Sequence, residues 1–186
     1  MDNILECANM YKTLLEKEYV FTLENDIKFS IYFSTSNFYH LLGLEKLIDV
    51  IQFNGKKPNQ IYKQILNGKI SNAIVERSKY YHKIRTRIEN FEKILDLLKF
   101  KKSNKIIIEF NPQLLSFETK LEFTKYILYQ RDNDSVSHLT IGKKGKLYPE
   151  TFFVEEGNAY LTGQNLYDIV SIDVIDKHKN MKRKVL

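Results

Sequence analysis

"FTKYILYQRDNDSVSHLTIGKKGKLYPETFFVEE", residues 123–156, is the stretch whose reading decides the fold. Within it "FTKYILYQR", "VSHLTIGKK" and "LYPETFFVEE" are short, rich in β-branched and aromatic residues, and separated by polar or glycine-containing turns. A period of two sends successive side chains to opposite faces of a sheet. The turns are too short to hold crossover helices, so neighbouring strands must run antiparallel. "KIIIEF" before this stretch and "DIVSIDVID" after it carry the same signature, so the chain from residue 105 onward predicts a mostly antiparallel sheet.

Toward the N-terminus the apolar spacing becomes helical. Ile4, Leu5, Ala8, Tyr11, Leu14 and Leu15 predict an amphipathic helix over 3–17, with Asp2 available as its N-cap. "YVFTLEN" and "IKFSIYFS", joined at Asn25 and Asp26, predict a tightly turned hairpin. Thr35, Ser36 and Asn37 offer caps to a helix that holds His40 and continues through Leu44, Leu47, Ile48 and Ile51, with Gly43 as a bend. "QIYKQILNGKI" predicts a short helix ending near Asn67 and Gly68.

From the cap Ser71 one long helix is expected to reach about Phe100. Tyr81, Ile84, Ile88, Phe91, Leu95 and Leu98 form its core stripe, and Arg77, Lys83, Arg85, Arg87, Lys93 and Lys99 mix with acids on its solvated face. Helices first and strands later make an α+β domain, with the N-terminal helices and the hairpin packed on the C-terminal sheet. Residues 1–176 are expected to be this single domain. Residues 177–186, "KHKNMKRKVL", are a basic tail expected to be disordered alone.

At 186 residues the chain is long enough for one core that buries roughly 70% of the unfolded surface. The formal charge of +6 favours polyanionic partners where the cations cluster, and disfavours an acidic nucleic-acid mimic. The single cysteine, Cys7, forms no internal disulfide, and the absence of a leader pattern sets a cytoplasmic expectation. No apolar run nears the ~20 residues of a membrane span, so no membrane role is expected.

The motifs exclude more chemistry than they propose. His40, His82, His138 and His178 lack close acidic or cysteine partners at ligand spacing, so no metal site is expected. Seven glycines form neither G-x-G-x-x-G nor a P-loop, and no G-x-S-x-G elbow presents a nucleophile, so no cofactor is expected. What remains is chemistry that needs only proton transfer and cations, of which RNA cleavage is the leading example, because the ribose 2′-hydroxyl supplies the nucleophile.

The sheet offers residues of the required types. If Leu139 and Ile141 face the core, His138 and Thr140 face away from it, and Lys125, Ile127, Tyr129 and Arg131 share a face that combines cations with an aromatic able to stack on a base. A half-exposed strand carries polar residues on its open face in any case. His40 falls at the margin of an apolar helical stripe, where it reads as a satisfied core histidine or as a general base facing a cleft.

Several stretches together resemble a known family: "FSIYFSTSNFYHLLGLEKL" (29–47), "IYKQIL", "SKYYHKIRTRIENFEKIL" and "YPETFFVEEGNAYLTGQN" (148–165). They are similar to phage-encoded nucleases grouped with barnase, EndoU, colicins and RelE, in the fourth phage subgroup. The distinctive marks are His40 in "FYHLLGL" and the P-x-T-F-F run. The resemblance implies a curved antiparallel sheet preceded by helices, and a metal-independent ribonuclease or toxin-like role in phages and other mobile elements. It also implies an RNA partner and a cognate antitoxin or host protein.

On the matching positions the resemblance implies that His40 is the acid/base residue, that Thr151 and Gln164 contact the phosphate or the attacked ribose, and that Tyr160 stacks on a base. Lys125, Arg131, Tyr129 and His138 come from the strand pattern alone. A different class of function stays open beside the enzyme: a non-catalytic nucleic-acid-binding or protein-binding regulatory module that keeps the nuclease-like shape.

Overall fold

The computed structural model describes residues 3–101, 105–121 and 123–176. Asp2 and the basic tail at 177–186 lie outside the described residues. Among the described residues seven strands form one antiparallel sheet: β1 (Lys17–Leu23), β2 (Lys28–Tyr32), β3 (Lys105–Ile108), β4 (Thr124–Asp132), β5 (Ser135–Lys144), β6 (Lys146–Glu156) and β7 (Leu166–Asp176). The order across the sheet is β2-β1-β7-β3-β4-β5-β6, so the C-terminal strand inserts between the hairpin and the meander. The sheet curls into a half-barrel. Phe29 on the edge strand β2 stacks on Tyr126 of β4, ring centroids 4.5 Å apart. The α+β expectation and each expected strand are met.

The concave face carries the main core. Helix α1 (Ile4–Lys12) starts at Asn3, whose side chain accepts the Glu6 N–H, and buries Ile4, Cys7, Ala8 and Tyr11. Short helices α2 (Asn37–Leu41) and α3 (Pro58–Leu66) pack beside it. Tyr11, Phe38, Tyr62 and Phe91 interlock, with Phe38 centred 5.2 Å from Tyr11 and 5.7 Å from Phe91, and Phe91 in turn meets Phe152 of β6. This aromatic knot fixes α2 against the sheet.

Two expected helices are shorter than the spacing predicts. The helix holding His40 ends at Leu41, because Gly43 takes φ +75° and redirects the chain into a 3-10 turn, Leu44–Lys46. Ile48 and Ile51, read as core, are exposed.

The long helix expected from Ser71 to Phe100 is a series of short pieces: α4 (Asn72–Glu76), a 3-10 turn (Tyr81–Lys83), α5 (Arg85–Glu89) and α6 (Lys93–Leu97). The break after α4 is fixed from thirty residues away. Asp49 accepts the Ser78 hydroxyl at 2.5 Å and the Lys79 N–H at 3.0 Å, and the Tyr80 N–H turns to Ser78 Oγ, which diverts donors from the helical ladder. The core stripe holds despite the breaks, since Ile84, Ile88, Phe91 and Leu98 are buried.

The opposite face of the sheet is also covered. Ile107, Phe110, Leu121, Ile127, Tyr129, Val136 and Leu161 form a second, smaller core, roofed by the loops at 109–121 and 157–165. Gln164 staples the two loops together. Its Oε1 accepts the Asn111 N–H at 3.0 Å, and its Nε2 donates to the Asn111 carbonyl at 2.9 Å. Among the described residues no helix is long and apolar enough to cross a membrane.

Candidate functional site

β6 is an edge strand, and a bulge interrupts it. Thr140 of β5 pairs with Thr151 while Ile141 pairs with Pro149, so Glu150 is an extra residue. Proline is tolerated here because an edge or bulge position asks for no ladder donor. Bulges re-aim side chains, and several groups around this one are taken up by side chains. The Thr151 N–H donates to Thr140 Oγ1 at 3.1 Å, and the Glu150 carboxylate accepts the hydroxyls of Thr124 at 2.5 Å and Thr140 at 3.3 Å. The Pro149 carbonyl accepts Asn37 Nδ2 at 3.1 Å, which docks the first turn of α2 on the bulge.

Phe38 and Leu41 turn inward from α2, which leaves His40 outward, with its side chain 52% exposed. His40 is therefore not sealed in the core. Its ring opens onto a cleft of about 700 Å³ along the β6 edge, where the helical layer from one face meets the loops from the other. The helical wall presents His40, Glu45, Lys46, Lys83 and Arg87, the loop wall Lys120 and Tyr160, and the strand itself Thr151 and Phe153. Glu45 Oε2 lies 3.7 Å from His40 Nδ1. Among the described residues Nε2 of His40 has no hydrogen-bond partner.

Arg87 ties these elements together. Its Nη1 donates to Thr151 Oγ1 at 2.7 Å and to the carbonyls of His40 at 3.3 Å and Leu41 at 3.5 Å, while the Thr151 hydroxyl reaches the His40 carbonyl at 3.5 Å. One guanidinium nitrogen thus fixes the end of α2 to the strand that carries Thr151. Among the described residues Arg87 forms no ion pair, and Nε and Nη2 of the fork have no partner.

Burial pulls the Arg87 pKa below the ordinary arginine value, with Glu45 and Tyr160 opposing the shift, and the side chain stays cationic at any ordinary pH. Burial and then the Arg87 charge hold the Lys46 ammonium below the usual lysine range, and Lys120 and Lys83 push it the same way. Room for Arg87 comes from Gly43, where a Cβ would stand 3.2 Å from Nη1.

The structure brings His40, Thr151 and Tyr160 to one cleft and leaves the other sequence candidates outside it. Lys125 pairs with Glu109 at 2.7 Å, and Arg131 lies exposed near the β4–β5 turn. Tyr129 is buried in the small core and so offers no stacking face to a base. Gln164 is committed to Asn111.

His138 and Thr140, read as facing away from the core, are fully buried, because the loops roof that side of the sheet. His138 lies behind the cleft wall. Its ring stacks on Phe153 at 4.7 Å, and its Nε2 meets Glu155 Oε1 at 2.9 Å. Burial lowers its pKa, with Glu155 opposing.

Sequence reasoning missed Arg87, Lys46 and Glu45. Arg87 was grouped with a solvated face, and its one local signal was its place beside Ile88 at the edge of the core stripe.

A half-buried cation with unused donors beside an exposed imidazole and a hydroxyl is suited to an anion that undergoes proton transfer. The chain matches, over residues 3–183, the family described as phage-Barnase-EndoU-ColicinE5/D-RelE like nuclease4. No curated protein and no solved structure matches it.

Proposed function

The chain belongs to the phage-Barnase-EndoU-ColicinE5/D-RelE like nuclease4 family, and from that premise we propose that the cleft at the β6 edge is a metal-independent ribonuclease centre. The observation that carries this reading is the meeting of His40 with a half-buried guanidinium, Arg87, which forms no ion pair among the described residues.

In the proposed reaction neutral His40 takes the 2′-hydroxyl proton as the O2′–P bond forms. The imidazolium then gives a proton to the 5′ oxygen as the P–O5′ bond breaks, which leaves a 2′,3′-cyclic phosphate and a 5′-hydroxyl. Glu45 balances the imidazolium charge from the Nδ1 side. The free donors of Arg87 and the Lys46 ammonium stabilise the charge that builds on the phosphorane oxygens, in a site where partial burial strengthens each such contact. Thr151 orients Arg87 and the end of α2, and Tyr160 with Phe153 offers an aromatic wall to an unstacked base. Lys125 and Arg131 take no part.

The test is cleavage of single-stranded RNA by the purified chain in EDTA, with end-group analysis of the products. His40→Ala should lower the rate by about 10²–10⁴-fold, the usual contribution of a proton-transfer group, with thermal unfolding unchanged because the side chain is exposed. Intact RNA with the unaltered protein, or cleavage that survives His40→Ala, overturns the reading.

A further inference from the structure

Lys83 lines the helical wall of the cleft, and its ammonium also sits 4.6 Å from the centroid of the Tyr80 ring. Lys79 brings a second ammonium to the same ring, at 5.0 Å. An aromatic face attracts cations, so one ring gathers two like charges. Among the described residues neither lysine forms an ion pair. The nearby carboxylate, Asp49, accepts the Ser78 hydroxyl and the Lys79 N–H and attracts the Lys79 ammonium without reaching ion-pair distance.

The segment is held in place as well. The Asp49 clamp at its start and the contact of His82 Nδ1 with the Lys79 carbonyl at 3.1 Å present the lysines from a fixed turn. Two ammoniums gathered on one ring, neither at ion-pair distance from a carboxylate among the described residues, repel one another, and an anion would complete the arrangement.

We propose that Lys79 and Lys83, gathered on Tyr80, form a flanking phosphate subsite, so that the substrate is a single-stranded polynucleotide that leaves the cleft past Lys83 toward Lys79. The proposal rests on the ribonuclease reading of the cleft. Single-strandedness follows from the wall of Tyr160 and Phe153, which accepts a base only once that base is unstacked from its neighbours. The continuation follows from position: Lys83 belongs to both the cleft and the Tyr80 cluster, and Lys79 lies one step beyond it.

The experiment uses the full chain carrying His40→Ala, so that RNA is bound and not consumed. Affinity for a 5′-labelled single-stranded RNA dodecamer is followed by fluorescence anisotropy across a salt series. Each phosphate neutralised on a single strand contributes about 0.7 to the slope of log affinity against log salt. Adding Lys79→Gln should lower the slope, and Lys79→Gln with Lys83→Gln should lower it by about 0.7 in all, the share of the one phosphate that the pair holds. Tyr80→Phe should keep the parent slope, and Tyr80→Ala should lose part of it, since only a ring gathers the ammoniums.

Lys63→Gln, on the exposed side of α3, should change nothing. A slope unmoved by the double variant, or lowered equally by Lys63→Gln, overturns the subsite while leaving the cleft reading intact. Failure of the His40→Ala chain to bind the dodecamer at any salt overturns the ribonuclease reading itself.

Discussion

One face of the sheet lies under helices whose rings interlock: Tyr11, Phe38, Tyr62 and Phe91 touch one another and, through Phe91, the strand below. The other lies under two loops that bury a small set of side chains and are joined by the Gln164–Asn111 amide pair. The cleft draws one wall from each. His40 and Arg87 stand on the thick layer, where packing over-determines position, whereas Tyr160 stands on the thin one. The division suits the two tasks, because proton transfer demands placement to a fraction of an ångström, while stacking on a base tolerates a wall that gives.

The comparison is sharpest where packing is densest. Phe91→Ala should cost about 3–5 kcal/mol in urea unfolding, since it opens a cavity where ring packs on ring. Leu161→Ala in the small core should cost about 2 kcal/mol, the low end for such truncations, because a loop roof relaxes into the space. Hydrogen exchange separates the two further. Leu161→Ala should speed exchange across residues 110–121 and leave α1 unchanged, and equal global effects of the two truncations would erase the distinction between the faces.

Arg87→Lys tests the join between the layers. A single ammonium cannot replace the fork that serves Thr151 and two carbonyls while keeping donors free. Stability should fall by about 1 kcal/mol and RNA cleavage by roughly tenfold or more. Cleavage retained at the parent rate would remove Arg87 from the centre.

The smallest effect concerns pH. His138 is buried with its pKa below the usual 6.5, so the unfolded chain takes up a proton that the folded chain refuses. Stability contributed by the neutral ring is complete above 6.5 and falls as pH drops below it, by less than about 1 kcal/mol between pH 6.5 and 5.5. His138→Gln should flatten the profile in that window, as read by thermal unfolding; an unchanged slope would show that the loop roof does not keep the ring from water.

The strands were legible because period two is a local signal, and each of the five C-terminal runs carries it. The break at Gly43 was also written locally, though as a bend and not as the end of the helix. The break at Ser78–Tyr80 was not legible, because Asp49 imposes it from outside the segment. The burial of His138 and Thr140 was hidden for a similar reason. Alternation tells which side chains share a face, not whether loops will fold over it, and the only hint lay in the apolar residues of those loops, Phe110, Leu115, Leu121 and Leu161.

In the candidate site, His40, Thr151 and Tyr160 entered through motif resemblance and meet in space. Arg87 had no such mark, since its role comes from a glycine and a threonine distant in the chain.

The supernumerary Glu150 gives β6 two phases. Beyond it Phe152 points into the large core and Phe153 toward the small one; before it the alternation restarts, with Pro149 standing opposite Ile141. Excising that one residue would close the ladder in the same register, yet it would remove the carboxylate that accepts from Thr124 and Thr140 and re-aim the Pro149 carbonyl that anchors Asn37. Chain length is therefore under tight constraint in the middle of this strand, while the hairpin tip at Gly145, only a few residues away, has open space around it and no such stake in the count.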